Sequence, residues 1–140
     1  MENMKSKLPR FRRSSSAPRR KRLTILLVDD EPALRTLVRV LLELRSAAKV
    51  VEAASNAQAF RATKRQKFDL VISDYGRAGG DGLAFLRKFK VLHPKIPVVI
   101  FSGQAAEIRH RARRLGASAC ISKMIKQCEL KLVERVLATA

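Results

Sequence analysis

Short apolar runs alternate along this chain with stretches whose apolar residues recur at helical spacing. The runs are Leu23–Val28, Val50–Ala53, Leu70–Ser73, Val98–Phe101 and Ala119–Ser122, several of them continuously apolar, as strands covered on both faces are. After the first run, Leu34, Leu37, Val38 and Leu41 follow i, i+3, i+4, i+7, with Pro32 suited to a first turn, which predicts a first helix. A second helix is expected over Asn56–Gln66 with Asn56 as N-cap. A third follows Asp81-Gly82, places Leu83, Leu86 and Phe89 on one face, and ends before Pro94. The fourth covers Ala105–Leu115 with Gly116 as its stop, burying Ile108, Ala112 and Leu115 and turning Arg109, His110, Arg111, Arg113 and Arg114 outward. A fifth takes Glu129–Ala138. Strand and helix alternating in this way predict an α/β fold, a (βα)5 doubly wound five-stranded parallel sheet with helices on both faces.

Composition adds a boundary. The chain has 140 residues, enough for one core, and its 46 % hydrophobic and 30 % charged content excludes a wholly disordered or collagen-like polymer. Thirty Lys and Arg against twelve Asp and Glu give a net charge of +18. Residues 1–22 hold nine bases against one acid, a net of +8, with a Ser14-Ser15-Ser16 run and few large apolar groups. They read as a flexible basic N-terminal arm, followed by one folded domain over residues 23–140. Such charge predicts attraction to polyanions and is silent about fold. Cys120 and Cys128 are too few for a zinc site or a disulfide framework, which fits a reducing, cytoplasmic setting. No run approaches the roughly 20 apolar residues that span a bilayer, so no membrane partner is expected.

In an open parallel sheet the functional crevice lies beyond the carboxyl ends of the strands. Read from that edge, the first strand leads into Asp29-Asp30, the third into Asp74, the fourth into Ser102 and the fifth into Lys123. Three carboxylates gathered there repel one another unless a cation joins them, and hard oxygen ligands suit Mg²⁺.

The successive motifs LLVDDEP, DLVISDY, DGLAFL, VVIFSG and GASACISK resemble those of the CheY-like receiver domain of two-component response regulators, over about Leu23 to Ala138. The resemblance implies strand order 2-1-3-4-5 and a phosphoacceptor, Asp74, that takes a phosphoryl group from a sensor histidine kinase or phosphotransfer protein. It further implies Mg²⁺ ligated by Asp30, Asp74 and the backbone carbonyl of Gly76, with Asp29 acting largely through a metal-bound water. Ser102 and Lys123 would contact the phosphoryl oxygens, and Gly76 and Gln104 fall at positions that tune dephosphorylation. The face made by the fourth helix, fifth strand and fifth helix would meet a downstream protein.

This chain also departs from the family. Cys120 stands where the family usually has an aromatic switch residue, a departure that bears on that form of switching and leaves phosphorylation possible. Met124 replaces the Pro that usually follows the Lys, and a cis bond there would cost about 2.5–4 kcal/mol, so Lys123–Met124 is expected to be trans. The loop after Asp74 is rich in glycine, which predicts mobility. With no output domain after Ala140, the chain is expected to be a stand-alone response regulator, not an enzyme acting on substrates. The alternative is a phosphorylation-independent module that binds nucleic acid or an acidic protein through the arm and the fourth helix. With Phe11 as the arm's lone aromatic, any nucleic-acid binding there would be non-specific and directed at phosphate. A phosphatase using a paired-aspartate motif is a weaker third choice, because residue 76 is Gly.

Overall fold

The structure, a computed structural model, describes residues 22–77 and 80–123. Five strands, β1 (Thr24–Val28), β2 (Lys49–Ala53), β3 (Leu70–Asp74), β6 (Val98–Ser102) and β7 (Ala119–Ser122), form one sheet in the order β2-β1-β3-β6-β7. All its pairings are parallel. This is the 2-1-3-4-5 arrangement of the CheY-like fold. Four described helices, α1 (Pro32–Arg45), α2 (Asn56–Arg65), α3 (Gly82–Leu92) and α4 (Ala105–Arg114), make the crossovers. A two-stranded antiparallel ribbon, β4 (Gly76–Arg77) with β5 (Gly80–Asp81), follows β3 and was not expected from the sequence. The basic arm, the fifth helix, Cys128 and the Lys123–Met124 bond lie outside the described residues, as does part of the loop after Asp74.

Alternation along β1 divides the core between the two faces of the sheet. Leu26 and Val28 join Val71, Val98 and Ile100 under the side chains of α2, α3 and α4, where Phe85, Leu86 and Phe89 are fully buried. Ile25 and Leu27 join Leu70, Ile72, Val99 and Phe101 on the other face, against Val38 and Leu42 of α1.

Several boundaries differ from expectation for local reasons. The N-cap of α2 is Ser55, not Asn56. Its hydroxyl accepts the Gln58 N–H at 3.1 Å, while the Gln58 side chain accepts the Ala54 N–H at 2.8 Å. The sequence thus carries an S-x-x-Q capping pattern. Helix α2 closes at Arg65, with Gln66 as its C-cap. In α1 the buried line runs through Val38 and Leu42, four residues apart; Leu37, about 100° away around the helix, is 49 % exposed. Leu115 caps α4 and is half-buried, and Gly116 follows at φ 103°. The Ala117 N–H bonds the Ala112 carbonyl and the Gly116 N–H bonds that of Arg113, a Schellman closure that favours glycine at residue 116. No helix among the described residues is long and apolar enough to cross a membrane.

Candidate phosphoacceptor site

Strand register assembles the site. Val28 of β1 lies opposite Ser73 of β3, Asp74 opposite Phe101 of β6, and Ser102 opposite Ser122 of β7. The residues one or two steps beyond these positions, Asp29, Asp30 and Lys123, therefore arrive at the same edge as Asp74 and Ser102. Carboxylate oxygens of Asp29, Asp30 and Asp74 lie within 4.8 Å of one another. Asp29 and Asp74 are buried, and Asp30 is exposed.

Asp74 is 1 % exposed, and its Oδ1 is met by two donors: Lys123 Nζ at 2.9 Å and the Gly76 N–H at 3.1 Å. Lys123 is steered there by its own backbone, whose N–H donates to the Ser102 carbonyl at 2.9 Å. Burial pulls the Lys123 ammonium down, but the hydrogen bond and attraction of Asp74, helped by Asp29 and Glu31, outweigh it and raise its pKa. Ser102 is buried, and its Oγ accepts the Gln104 N–H at 2.9 Å, just ahead of α4.

Asp29 is held on three sides. Its N–H donates to the Ala53 carbonyl at 3.0 Å, its Oδ1 accepts the Glu31 N–H at 2.9 Å, and its own carbonyl accepts from Arg35 Nη1 at 2.6 Å. Burial raises the pKa of its carboxyl; the Glu31 hydrogen bond opposes this, and repulsion from Asp74 adds to it.

The predicted residues Asp29, Asp30, Asp74, Ser102 and Lys123 thus share one edge, with Gly76 beside Asp74. Cys120 lies beneath it on β7, buried, with its thiol 3.7 Å from the Ala105 carbonyl. Burial chiefly pushes that thiol up, against the pull of Arg109 and Arg113. Arg109 is exposed as expected, and its Nη2 also reaches the Cys120 carbonyl at 3.4 Å. Two contributors escaped the sequence reading. Arg35 grips the turn after β1. Gly82 sits so close to the chain at Asp74 that a Cβ there would lie 2.5 Å from the Asp74 carbonyl oxygen and 2.6 Å from Tyr75 Cα.

A doubly wound sheet carrying an acid pair after β1, an aspartate ending β3, a serine ending β6 and a lysine after β7 defines a receiver of the CheY-like class. Residues 25–135 match the response regulator receiver domain family, and the chain belongs to it. It is 38 % identical over 114 residues to a protein-glutamate methylesterase/protein-glutamine glutaminase of Cereibacter sphaeroides, covering 79 % of this chain and 31 % of that protein. The crystallised receiver domain of NtrX from Brucella abortus superposes with a TM-score of 0.76 at 37 % identity, covering 83 % of this chain and 99 % of that one. The chemotaxis regulator CheY4 of Vibrio cholerae, 22 % identical with a TM-score of 0.74, shares the fold over 83 % of this chain and 99 % of its own. The chain spans between 31 % and 55 % of the length of three curated relatives.

Proposed function

We propose that this receiver accepts a phosphoryl group on Asp74 from a phosphohistidine of a sensor kinase or phosphotransfer protein. The observation that carries the reading is the buried Asp74 carboxylate meeting Lys123 Nζ at 2.9 Å inside a cluster of three carboxylates. Three acids facing one ammonium leave an excess of negative charge on hard oxygen donors, a donor set suited to Mg²⁺. Asp30, Asp74 and the Gly76 carbonyl would hold the ion, with Asp29 acting through a water. When bound, it neutralises carboxylate charge and polarises the phosphoryl oxygens.

The chain's own groups do the rest. An Asp74 carboxylate oxygen forms the new bond to phosphorus as the phosphorus–nitrogen bond breaks, and the electron pair stays on the imidazole nitrogen. Lys123 exchanges its partner, Asp74 Oδ1, for a phosphoryl oxygen. The Ser102 hydroxyl now accepts from Gln104, and its proton is available to donate to a second oxygen. Signalling then passes by protein–protein contact, with the α4 and β7 face meeting a downstream protein.

Intact-mass spectrometry after incubation with acetyl phosphate and Mg²⁺ tests this. One phosphoryl adduct is expected, lost in Asp74→Asn and lost with EDTA. An adduct that survives in Asp74→Asn, or none in the unaltered protein together with no binding of beryllofluoride, overturns the reading.

One observation favours a second reading. Arg109, Arg111, Arg113 and Arg114 of α4 are exposed, and among the described residues none is ion-paired to a carboxylate. That face, with the basic arm, suits a phosphate backbone or an acidic protein independently of phosphorylation.

A further inference from the structure

We infer that Arg35, anchored by Glu52, is a positioning residue for the two carboxylates that follow β1, and sets the protein's affinity for a divalent cation. The inference rests on the receiver reading and deepens it.

Arg35 lies one turn into α1 and reaches the cluster through the backbone of Asp29. Its Nη1 donates to the Asp29 carbonyl at 2.6 Å, and its Nε pairs with Glu52 Oε1 at 2.9 Å. The accepting carbonyl belongs to the peptide plane that joins Asp29 to Asp30. Holding that plane restricts ψ of Asp29 and φ of Asp30, and so limits how the two side chains are set relative to each other. A guanidinium can do this because its donors are set in a rigid fork.

The grip closes on itself. Glu52 stands on β2 opposite Leu27 of β1, and the next residue, Ala53, accepts the Asp29 N–H at 3.0 Å. Asp29 is therefore held at its N–H by β2 and at its carbonyl by a side chain that β2 itself anchors. Arg35 and Glu52 are only 17 % and 29 % exposed, so water competes weakly for the pair. Three carboxylates brought within 4.8 Å repel one another, and an unrestrained turn would relax by rotating that peptide. The positive charge of Arg35 on its carbonyl opposes the rotation.

Arg39 supplies an internal control. It reaches Glu52 Oε2 and Glu43 Oε1, each at 2.9 Å, in the same ion-pair network, with no contact to Asp29. A purely structural network predicts the same outcome for both arginines; the positioning role separates them.

The test uses the full chain and Mg²⁺ alone, titrated by calorimetry well below the melting temperature. Arg35→Gln is expected to weaken Mg²⁺ binding roughly 10-fold or more, the usual effect of removing a group that orients a ligand. Its phosphorylation rate from acetyl phosphate should recover at saturating Mg²⁺, because only the half-saturating concentration moves. Arg39→Gln is expected to lower the melting temperature and leave Mg²⁺ affinity unchanged. Arg35→Lys keeps the charge without the fork and should bind Mg²⁺ more weakly than the unaltered protein. Should Arg35→Gln fail to fold, Glu52→Gln, which frees the anchor and leaves Arg35 in place, is expected to show the same loss. Equal Mg²⁺ affinity in Arg35→Gln and the unaltered protein, or an equal loss in Arg39→Gln, overturns this inference alone. An unaltered protein that binds no Mg²⁺ overturns the phosphoacceptor reading with it.

Discussion

A buried carboxylate with a raised pKa acts against the fold at neutral pH. Burial favours the protonated form of Asp29 in the folded state. Its contribution to stability is therefore full below the ordinary carboxylate value of 3.8 and is lost as pH rises through the higher folded-state value. Above that window the ionised group is a net cost to the fold. In Mg²⁺-free buffer at pH 7, Asp29→Asn is expected to melt about 2–5 °C higher than the unaltered protein, an advantage that shrinks as pH falls toward 4. An unchanged or lower melting temperature at pH 7 would count against the burial argument. The Lys123 pKa is raised as well, but for a base that shift favours the charged form at neutral pH. Its raised pKa keeps the ammonium charged, and the stability it contributes is lost only as pH rises beyond the ordinary lysine range. These residues were legible in the sequence because their chemistry is intrinsic: acids after an apolar run, and a lysine after another. Arg35 and Glu52 were not, because their meeting depends on the register of β1 against β2, which no local pattern encodes.

Among the elements, helix ends were the least legible part. Asn56 and Ser55 are both good caps by residue type, and the choice falls to Ser55 because Gln58 three residues on donates its N–H to the Ser55 hydroxyl while its side chain accepts the Ala54 N–H. The apolar face of α1 was read as Leu34, Leu37, Val38 and Leu41, which takes in the exposed Leu37 and misses the buried Leu42, because spacing alone does not show which edge of the apolar stripe meets the sheet. The start of α3 carries the tightest constraint. Its Gly82 N–H donates to the Tyr75 carbonyl at 3.1 Å, and the chain at Asp74 fills the space a side chain would need. Gly82→Ala must push α3 or the end of β3 aside. Denaturant unfolding is expected to show a loss of about 1–3 kcal/mol, as overpacking commonly does. The same variant should accept phosphate from acetyl phosphate more slowly, because the displaced backbone carries Asp74. Unaltered stability and rate would mean that the contact relaxes freely.

For the molecule as a whole, the strand order concentrates acid and the helices disperse base. The acids gather at one edge of a sheet whose strands are buried, while α4 presents four exposed arginines. The strand count and the parallel alternation were readable because buried strands need continuous apolar runs. The β4–β5 ribbon was not, because two-residue strands are too short for any periodicity to show. The basic face yields a prediction that separates the two functional readings. If it binds nucleic acid through phosphate, affinity for duplex DNA should fall with salt along a log–log slope of about −3 to −4 when four arginines are engaged. Replacing Arg111 and Arg114 by Ala should flatten that slope, and a filter-binding titration with no salt dependence would dismiss the nucleic-acid reading.

The thiol beneath the site offers one more use. Cys120 is sealed between β7 and the first turn of α4, 3 % exposed. A thiol reagent reaches it only when those two elements part, so in a Cys128→Ser background its labelling rate is a clock for that opening. The cysteine thereby serves as a chemical stopwatch built into the strand. Comparing its rate before and after loading with beryllofluoride would time the motion of α4 in the protein's native chemistry, without an attached probe.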